Sequence, residues 1–410
     1  MSEWKKVKLK DISVSITDGK HGDCCNQNGS GYYFISCKDI IDGVIHYENA
    51  RQITEEDFID ADRRTNLEPN DILITNSGTI GRMAFVKHIA KTRRTTFQKS
   101  VAIVKPLRDK VVPLYLYYLL KNKTLDLINS SNGAAQKNLL LSTMREFDLS
   151  IVESSTIQRR IAEILSRYDS LIENYQRQIK LLEEAAQRLY KEWFVDLHFP
   201  GHENTPIIDG IPQGWEKKKL GEVFTYVRGK SYTSKELSNK GTIMVNLKNI
   251  QAFGGYNRNA EKRFTGDYKE MQALEKGDLI MGVTDMTKER RLVGHVALVP
   301  DFNERATFSM DLIKIVPFEL PKVYLYCAMR FGGISISISP LANGVNVLHL
   351  KPDAMMNIEM TIPSNDLIMR FTTYATSCIE EINKLENQIR NLSEARDRLL
   401  PKLMSAEIEV

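Results

Sequence analysis

Leu67-Glu68-Pro69-Asn70-Asp71-Ile72 returns further along the chain as Leu274-Glu275-Lys276-Gly277-Asp278-Leu279. The echo widens in both directions. Trp4, Leu9, Thr96-Phe97 and Pro106 reappear as Trp215, Leu220, Thr307-Phe308 and Pro317, all at a shift of 211. Residues 81–86 match 294–299, and Asn132-Gly133 matches Asn343-Gly344. Each copy then ends in the same helical pattern, with Ile179, Leu182, Ala185, Arg188 and Leu189 answered by Ile389, Leu392, Ala395, Arg398 and Leu399. A period this long denotes two duplicated domains rather than a solenoid.

Bulk properties agree with that division. A chain of 410 residues, 42% of them hydrophobic, can bury more than one core. The net charge of +4 neither demands nor forbids a nucleic-acid partner, because the field that matters is that of one face. Five cysteines, an odd number with Cys24 and Cys25 adjacent, do not resemble the paired framework of a secreted domain. No secretory pattern opens the sequence, and the apolar stretch at 111–120 is broken by Pro113 and too short to span a bilayer. The expectation is a soluble, cytoplasmic protein.

Within each copy, β-branched and aromatic runs predict a strand-rich head. Tyr32-Tyr33-Phe34-Ile35, Ile72-Leu73-Ile74 and Val101-Ala102-Ile103-Val104 alternate with Gly, Asp and Asn turns. The second copy places strands near 243–247, 279–283 and 312–316. Helices are expected at 113–128, opened by Pro113, and at 323–331, with 130–133 as a loop. From Ser155 the apolar gaps become three and four: Ile157, Ile161, Ile164, Tyr168, Leu171, Tyr175, Ile179, Leu182, Ala186, Leu189 and Trp193. That pattern predicts one amphipathic helix of nearly forty residues, capped by Ser154 or Ser155. Its counterpart runs through Phe371, Tyr374, Cys378, Ile382, Leu385, Ile389, Leu392, Leu399 and Leu403. Two such stripes most simply bury one another as a coiled coil, each helix roughly 60 Å long. The predicted object is an α/β (α+β) dumbbell with internal pseudo-symmetry, in which residues 200–214, rich in Pro and Gly, form the linker.

No catalytic constellation emerges. Gly229-Lys230-Ser231 lacks the upstream glycine of a phosphate-binding loop, since Phe224 stands there. His21, Cys24, Cys25 and Cys37 match no zinc spacing, and no metal is expected. What recurs instead is polar loop chemistry suited to nucleic acid. In the first copy the candidates are Lys20, His21, Arg63, Arg64, Asn76, Ser77, Thr79, Arg93, Arg94 and Gln98. In the second they are Arg228, Lys230, Ser231, Tyr232, Asn257, Arg258, Thr284, Lys288, Arg290 and Arg291. Lys and Arg hold phosphates, while Asn, Gln, Arg, Ser and Thr can read base edges. Any one loop is equally a solvated turn. The informative feature is divergence: 76–80 and 284–287 fill the same slot with unlike residues, as two readers of different short sequences would.

These segments carry a family resemblance. Residues 31–36 before Lys38-Asp39-Ile40, 70–73 leading to 78–81, Thr95-Thr96-Phe97-Gln98, the helix opening at 157–165, its close at 191–196 and the restart at 211–215 resemble the HsdS-type specificity subunits of type I restriction-modification systems. The likeness covers essentially the whole chain. It departs where the family often has a proline-rich approach and Glu-Gln before the helix, since this chain has residues 153–158 as Glu-Ser-Ser-Thr-Ile-Gln, and 368–370 as Ile-Met-Arg in the second copy. The resemblance implies target recognition domains at 1–153 and 201–362, separated by spacer and partner-docking helices at 154–200 and 363–410 that pack as an antiparallel coiled coil. It implies a non-catalytic subunit, each head reading half of a bipartite site in double-stranded DNA. Two modification subunits (HsdM) would bind S-adenosylmethionine and methylate adenine at N6, and restriction subunits (HsdR) would use ATP and Mg. No cofactor is expected on this chain. A free-standing bipartite DNA-binding regulator and a structural coiled-coil adaptor are the alternatives.

Overall fold

In the computed structural model, which describes residues 4–131 and 138–410, the apolar run before Asn76 is a strand, Ile72–Thr75, buried along its length. Its side chains alternate between two cores, as strand geometry requires. Ile72 and Ile74 join Leu9, Tyr115 and Leu116 in one cluster, while Leu73 joins Ile35, Phe97 and Ile103 in another. Cover on both faces is why the strand reads as an unbroken apolar run. Leu279–Gly282 repeats the arrangement: Leu279 and Met281 pack with Tyr324 and Leu325, Ile280 with Val245 and Phe308.

Each head builds a four-stranded antiparallel sheet around this strand in one order. In the first it is Ser13–Asp18, Val101–Pro106, Ile72–Thr75, Met83–Phe85; in the second, Phe224–Arg228, Leu312–Pro317, Leu279–Gly282, Val296–Leu298. A second sheet in each contains a parallel pair, Tyr33–Ile35 with Thr95–Phe97 and Thr242–Val245 with Ala306–Phe308. An outer ladder joins the start of each head to its end, Trp4–Lys8 with Asp148–Val152 and Glu216–Lys219 with Glu359–Ile362.

The echoed hexapeptide is the turn that feeds the central strand. Asp71 accepts the Glu68 amide and Asp278 the Glu275 amide, both at 2.9 Å. Lys105 meets Asp71 at 2.7 Å, and Lys322 and Lys314 meet Asp278 at 2.6 and 3.7 Å. Asn70 and Gly277 supply the left-handed residue of the turn, φ 75° and 80°, a conformation that Gly adopts freely and Asn tolerates.

Ser155–Phe194 and Asn365–Met404 are each a helix of 40 residues. Ser154 caps the first, accepting the Ile157 amide at 3.4 Å. The chain divides into two compact units, Met1–Glu173 with Ile389–Val410, and Asn174–Gln388. Each contains one head and opposite ends of the two helices. In the first unit Ile161, Ala162 and Leu165 share the head's core with Leu400, Leu403 and Met404. Arg396 and the Tyr118 hydroxyl both donate to Asp169, at 2.5 and 2.6 Å. In the second unit the rings of Tyr190 and Phe194 lie 5.4 and 5.3 Å from that of Phe371. Early residues of one helix therefore meet late residues of the other, and the pair is antiparallel within each unit.

Three expectations change. The helix foreseen at 113–128 is two, Pro113–Asn122 and Thr124–Asn129, because the Thr124 hydroxyl donates to the Lys121 carbonyl at 2.7 Å and competes with the ladder. Leu171 and Tyr374 of the apolar stripes are exposed, and Ile172 and Ala375 are buried in their place. A stripe covered partly by a head and partly by a second helix cannot hold one register over ten turns. The stretch at 200–214 is no open linker. Ile207–Ile208 pairs with Ile211–Pro212 through Asp209-Gly210, both at positive φ, a tight hairpin turn. Phe199 and Trp215, their rings 5.1 Å apart, close over Leu367. Asn132-Gly133 lies outside the described residues.

Gln158 joins head to helix. Its buried amide donates to the Val152 carbonyl at 2.7 Å and accepts the Val112 amide at 2.8 Å. Gln158→Leu leaves both backbone groups unsatisfied, and denaturant titration should find the first unit destabilised by about 2 kcal/mol.

Candidate nucleic-acid interface

In both heads a Gly-Lys pair crosses the strand that ends in phenylalanine. The Lys20 amide donates to Phe97 O, and the Lys230 amide to Phe308 O, each at 2.8 Å. A Cβ on Gly19 would stand 2.1 Å from Phe97 O, and one on Gly229 2.0 Å from Ser309 O. Only glycine permits so close a crossing, so the sheet presents a lysine at the same place twice. The junction also brings in the turn after the central strand: Asn76 N donates to Ser100 O, and Val283 N to Asp311 O.

The first head collects several candidates here and sends others elsewhere. Lys20 pairs with Asp57 and Asp60 at 3.2 and 3.0 Å, both from the helix Glu55–Thr65, and these bonds, Asp60 foremost, raise its pKa. Arg64, of the same helix, donates to Asp18 O at 3.0 Å and to its carboxylate, which His21 also meets at 2.9 Å. Gln98 bridges Lys20 through the backbone, and Ser77 bridges Asn138. Thr79 is exposed at the turn's tip, its carbonyl taking the Thr75 hydroxyl. Arg63 is exposed at the helix end. Arg93 and Arg94 precede Thr95–Phe97, whereas Gln98 follows it. Arg94 lies over Tyr32, 5.5 Å from its ring centre, and Arg93 lines a groove of mixed charge with His88, Lys105 and Arg108.

In the second head Lys230, Ser231 and Arg228 occupy the crossing, with Arg228 5.8 Å over the Tyr226 ring and Tyr232 held by Lys262 at 3.2 Å. Lys288 and Arg291 are exposed on the turn after the central strand, and Arg290 is half-buried at φ 51°.

Three candidates need correction. Asn76 and Thr284, each 5% exposed, have no surface to present, because the strand beneath them is covered on both faces; the Thr284 hydroxyl bonds Asp311 at 3.2 Å. Arg258 faces inward within the second unit, whereas its neighbour Asn257 is half-buried. Arg258 donates to Glu386 at 2.6 Å and Asn383 at 3.0 Å, and Asn257 to Lys248 O at 3.0 Å. Burial raises the Glu386 pKa against the pull of Arg258. Lys99 was missed. It is exposed and its amide bonds Lys20 O at 3.2 Å, a proximity that only the crossing creates.

Asp285 organises the longer turn. Its carboxylate accepts Thr287 N and Oγ1 at 2.7 and 2.8 Å, Leu292 N at 2.6 Å and Val293 N at 3.2 Å. Burial pushes this carboxyl up, yet the four donors outweigh it and hold its pKa below the ordinary aspartate value. Beneath lies His295, whose pKa burial lowers, with the Phe253 ring 5.5 Å away edge-on.

Comparison with known proteins now bears on this geometry. The family model for the type I restriction modification DNA specificity domain matches residues 1–184 and again 212–391. The chain belongs to this family. A family specificity subunit, that of the type I restriction enzyme MjaIX of Methanocaldococcus jannaschii, is 30% identical over all of this chain and 94% of its own length. The HindI specificity subunit of Haemophilus influenzae is 21% identical over the full length of both. The crystal structure of the type I S subunit from M. genitalium shares the fold, with a TM-score of 0.60 at 16% identity over 98% of this chain and 96% of that one. The family is one of DNA specificity, not of catalysis. Among the described residues no helix is long and apolar enough to cross a membrane.

Two outcomes follow for this specificity protein. Gly229→Ala must displace the Lys230 crossing, and should weaken DNA binding with a detectable fall in melting temperature. Because the Asp285 pKa is depressed, its bonds stabilise the fold above the ordinary aspartate range and are lost only as pH falls through the lower, folded value. Carboxyl carbon NMR should show Asp285 titrating below the ordinary aspartate value.

Proposed function

We propose that this chain is the DNA-reading subunit of a type I restriction-modification assembly, with each head taking one half of a bipartite double-stranded site. The observation that carries this is one framework with two unlike tips. Strand order, hexapeptide turn and Gly-Lys crossing are common to both heads, whereas the turn beyond the central strand differs in length and chemistry. Shared lysines suit phosphates, which are alike on every sequence, and Gln98, Ser77, Thr79, Ser231, Lys288, Arg290 and Arg291 suit base edges or neighbouring phosphates. The antiparallel helical ends offer two similar surfaces, one per unit, to two modification subunits. Those partners would hold S-adenosylmethionine and methylate adenine, and restriction subunits would bring ATP and Mg chemistry. The chain itself carries recognition alone, in the prokaryotic cytoplasm.

Exchanging residues 215–360 for the second head of another family member tests the assignment. Sequencing of methylated adenines should show one half of the site altered and the other retained. Both halves changing together would refute one head per half-site.

A further inference from the structure

The turn beyond the central strand is closed alike in both heads but differs twofold in length. Thr75 N bonds Arg82 O and Gly81 N bonds Thr75 O, enclosing the six residues 76–81. Gly282 N bonds His295 O and Gly294 N bonds Gly282 O, enclosing the twelve residues 283–294. The short turn is pinned by the Thr75 hydroxyl, which accepts the Arg82 amide at 2.9 Å and donates to Thr79 O. Gly282 has no side chain with which to do this.

In the long turn the task falls to Asp285. Fully enclosed at 0% exposure, its carboxylate gathers four donors from both limbs of the excursion, Thr287 on one side and Leu292 and Val293 on the other. The ladder of Thr284–Asp285 with Leu348–His349 holds it from behind. Residues 286–291 therefore stand out as a closed loop, with Met286 78% exposed and Lys288 and Arg291 at the surface. A carboxylate accepts about four hydrogen bonds and donates none, so this one is saturated by the loop it closes.

We propose that Asp285 is a positioning residue for the second half-site: it touches no DNA, and holds the 286–291 loop in its reading form before DNA arrives. The inference rests on the DNA-reading function proposed above. A loop ordered in advance loses less conformational freedom on binding, and its side chains meet fixed base pairs. Without the carboxylate, four donors lose their partner and Lys288, Arg290 and Arg291 lose their register. General attraction to phosphate would survive, but discrimination would not.

The test uses the full chain with its modification subunits and three duplexes: the site found by methylome sequencing, one mismatched in the second half, and one mismatched in the first. Asp285→Asn is isosteric but turns an NH₂ toward the loop's own donors. Its preference for the correct second half over the mismatch should fall about tenfold, a change of about 1.4 kcal/mol. Its preference at the first half should stay within about twofold of the wild type. A uniform loss on all three duplexes would reduce Asp285 to a folding role and overturn the proposal, as would unchanged ratios. Should Asp285→Asn fail to fold, Thr287→Val removes one donor from the loop's outer limb. A smaller fall confined to the second half supports the proposal, and none overturns it. A wild-type complex that ignores mismatches in either half would overturn the functional reading itself, and this inference with it.

Discussion

Each head depends on a four-residue strand that cannot reach water on either side. Ile72–Thr75 and Leu279–Gly282 divide their side chains between two cores, one beneath the long helices and one beneath the loops. The division couples parts of the chain far apart in sequence. A change at Leu73 or Ile280 acts on the loop side, and a change at Ile72 or Leu279 on the helix side. The polar turn that launches the strand has to satisfy its amides locally, and Asp71 and Asp278 do so while neutralised by Lys105 and by Lys314 with Lys322.

The helices meet the heads through a few polar groups set in apolar contacts. Asp169 receives Arg396 and Tyr118 in the first unit; Glu183 receives Arg330 at 3.0 Å and Glu386 receives Arg258 in the second. A buried ion pair contributes little net stability, yet breaking one leaves an uncompensated charge. Such contacts fix the angle at which a head sits on its helical ends, and slippage along an apolar stripe is penalised.

Loop chemistry on this scaffold varies at small cost to the framework. The crossing at Gly19-Lys20 and Gly229-Lys230 is dictated by backbone contact and therefore shared. The neighbouring turn is tied off by a hydroxyl in one head and a carboxylate in the other, and its length doubles without disturbing either sheet. Separating a fixed frame from exchangeable tips lets a duplicated domain acquire a second specificity.

The sequence by itself determined the duplication, the strand-rich heads and both long helices, because these rest on periodicity and on residues that local backbone geometry demands, such as Asn70 and Gly277 in the left-handed bend; the family was legible separately, from the likeness of whole segments such as 157–165 and 191–196. It also offered Lys20 and Lys230 as candidates, though not the crossing that places them alike. Only the tertiary structure decided which polar residues face outward. Asn76 and Arg258 have the composition of DNA contacts, but one lies over a strand covered on both faces and the other is taken up by Glu386, more than a hundred residues away in the chain. Asp285, an ordinary loop aspartate in the sequence, becomes the anchor of its turn because Leu292 and Val293 fold back onto it. Local pattern fixes backbone conformation over a few residues, whereas burial and pairing depend on neighbours brought together from across the chain, and the candidate site is made almost wholly of such pairings.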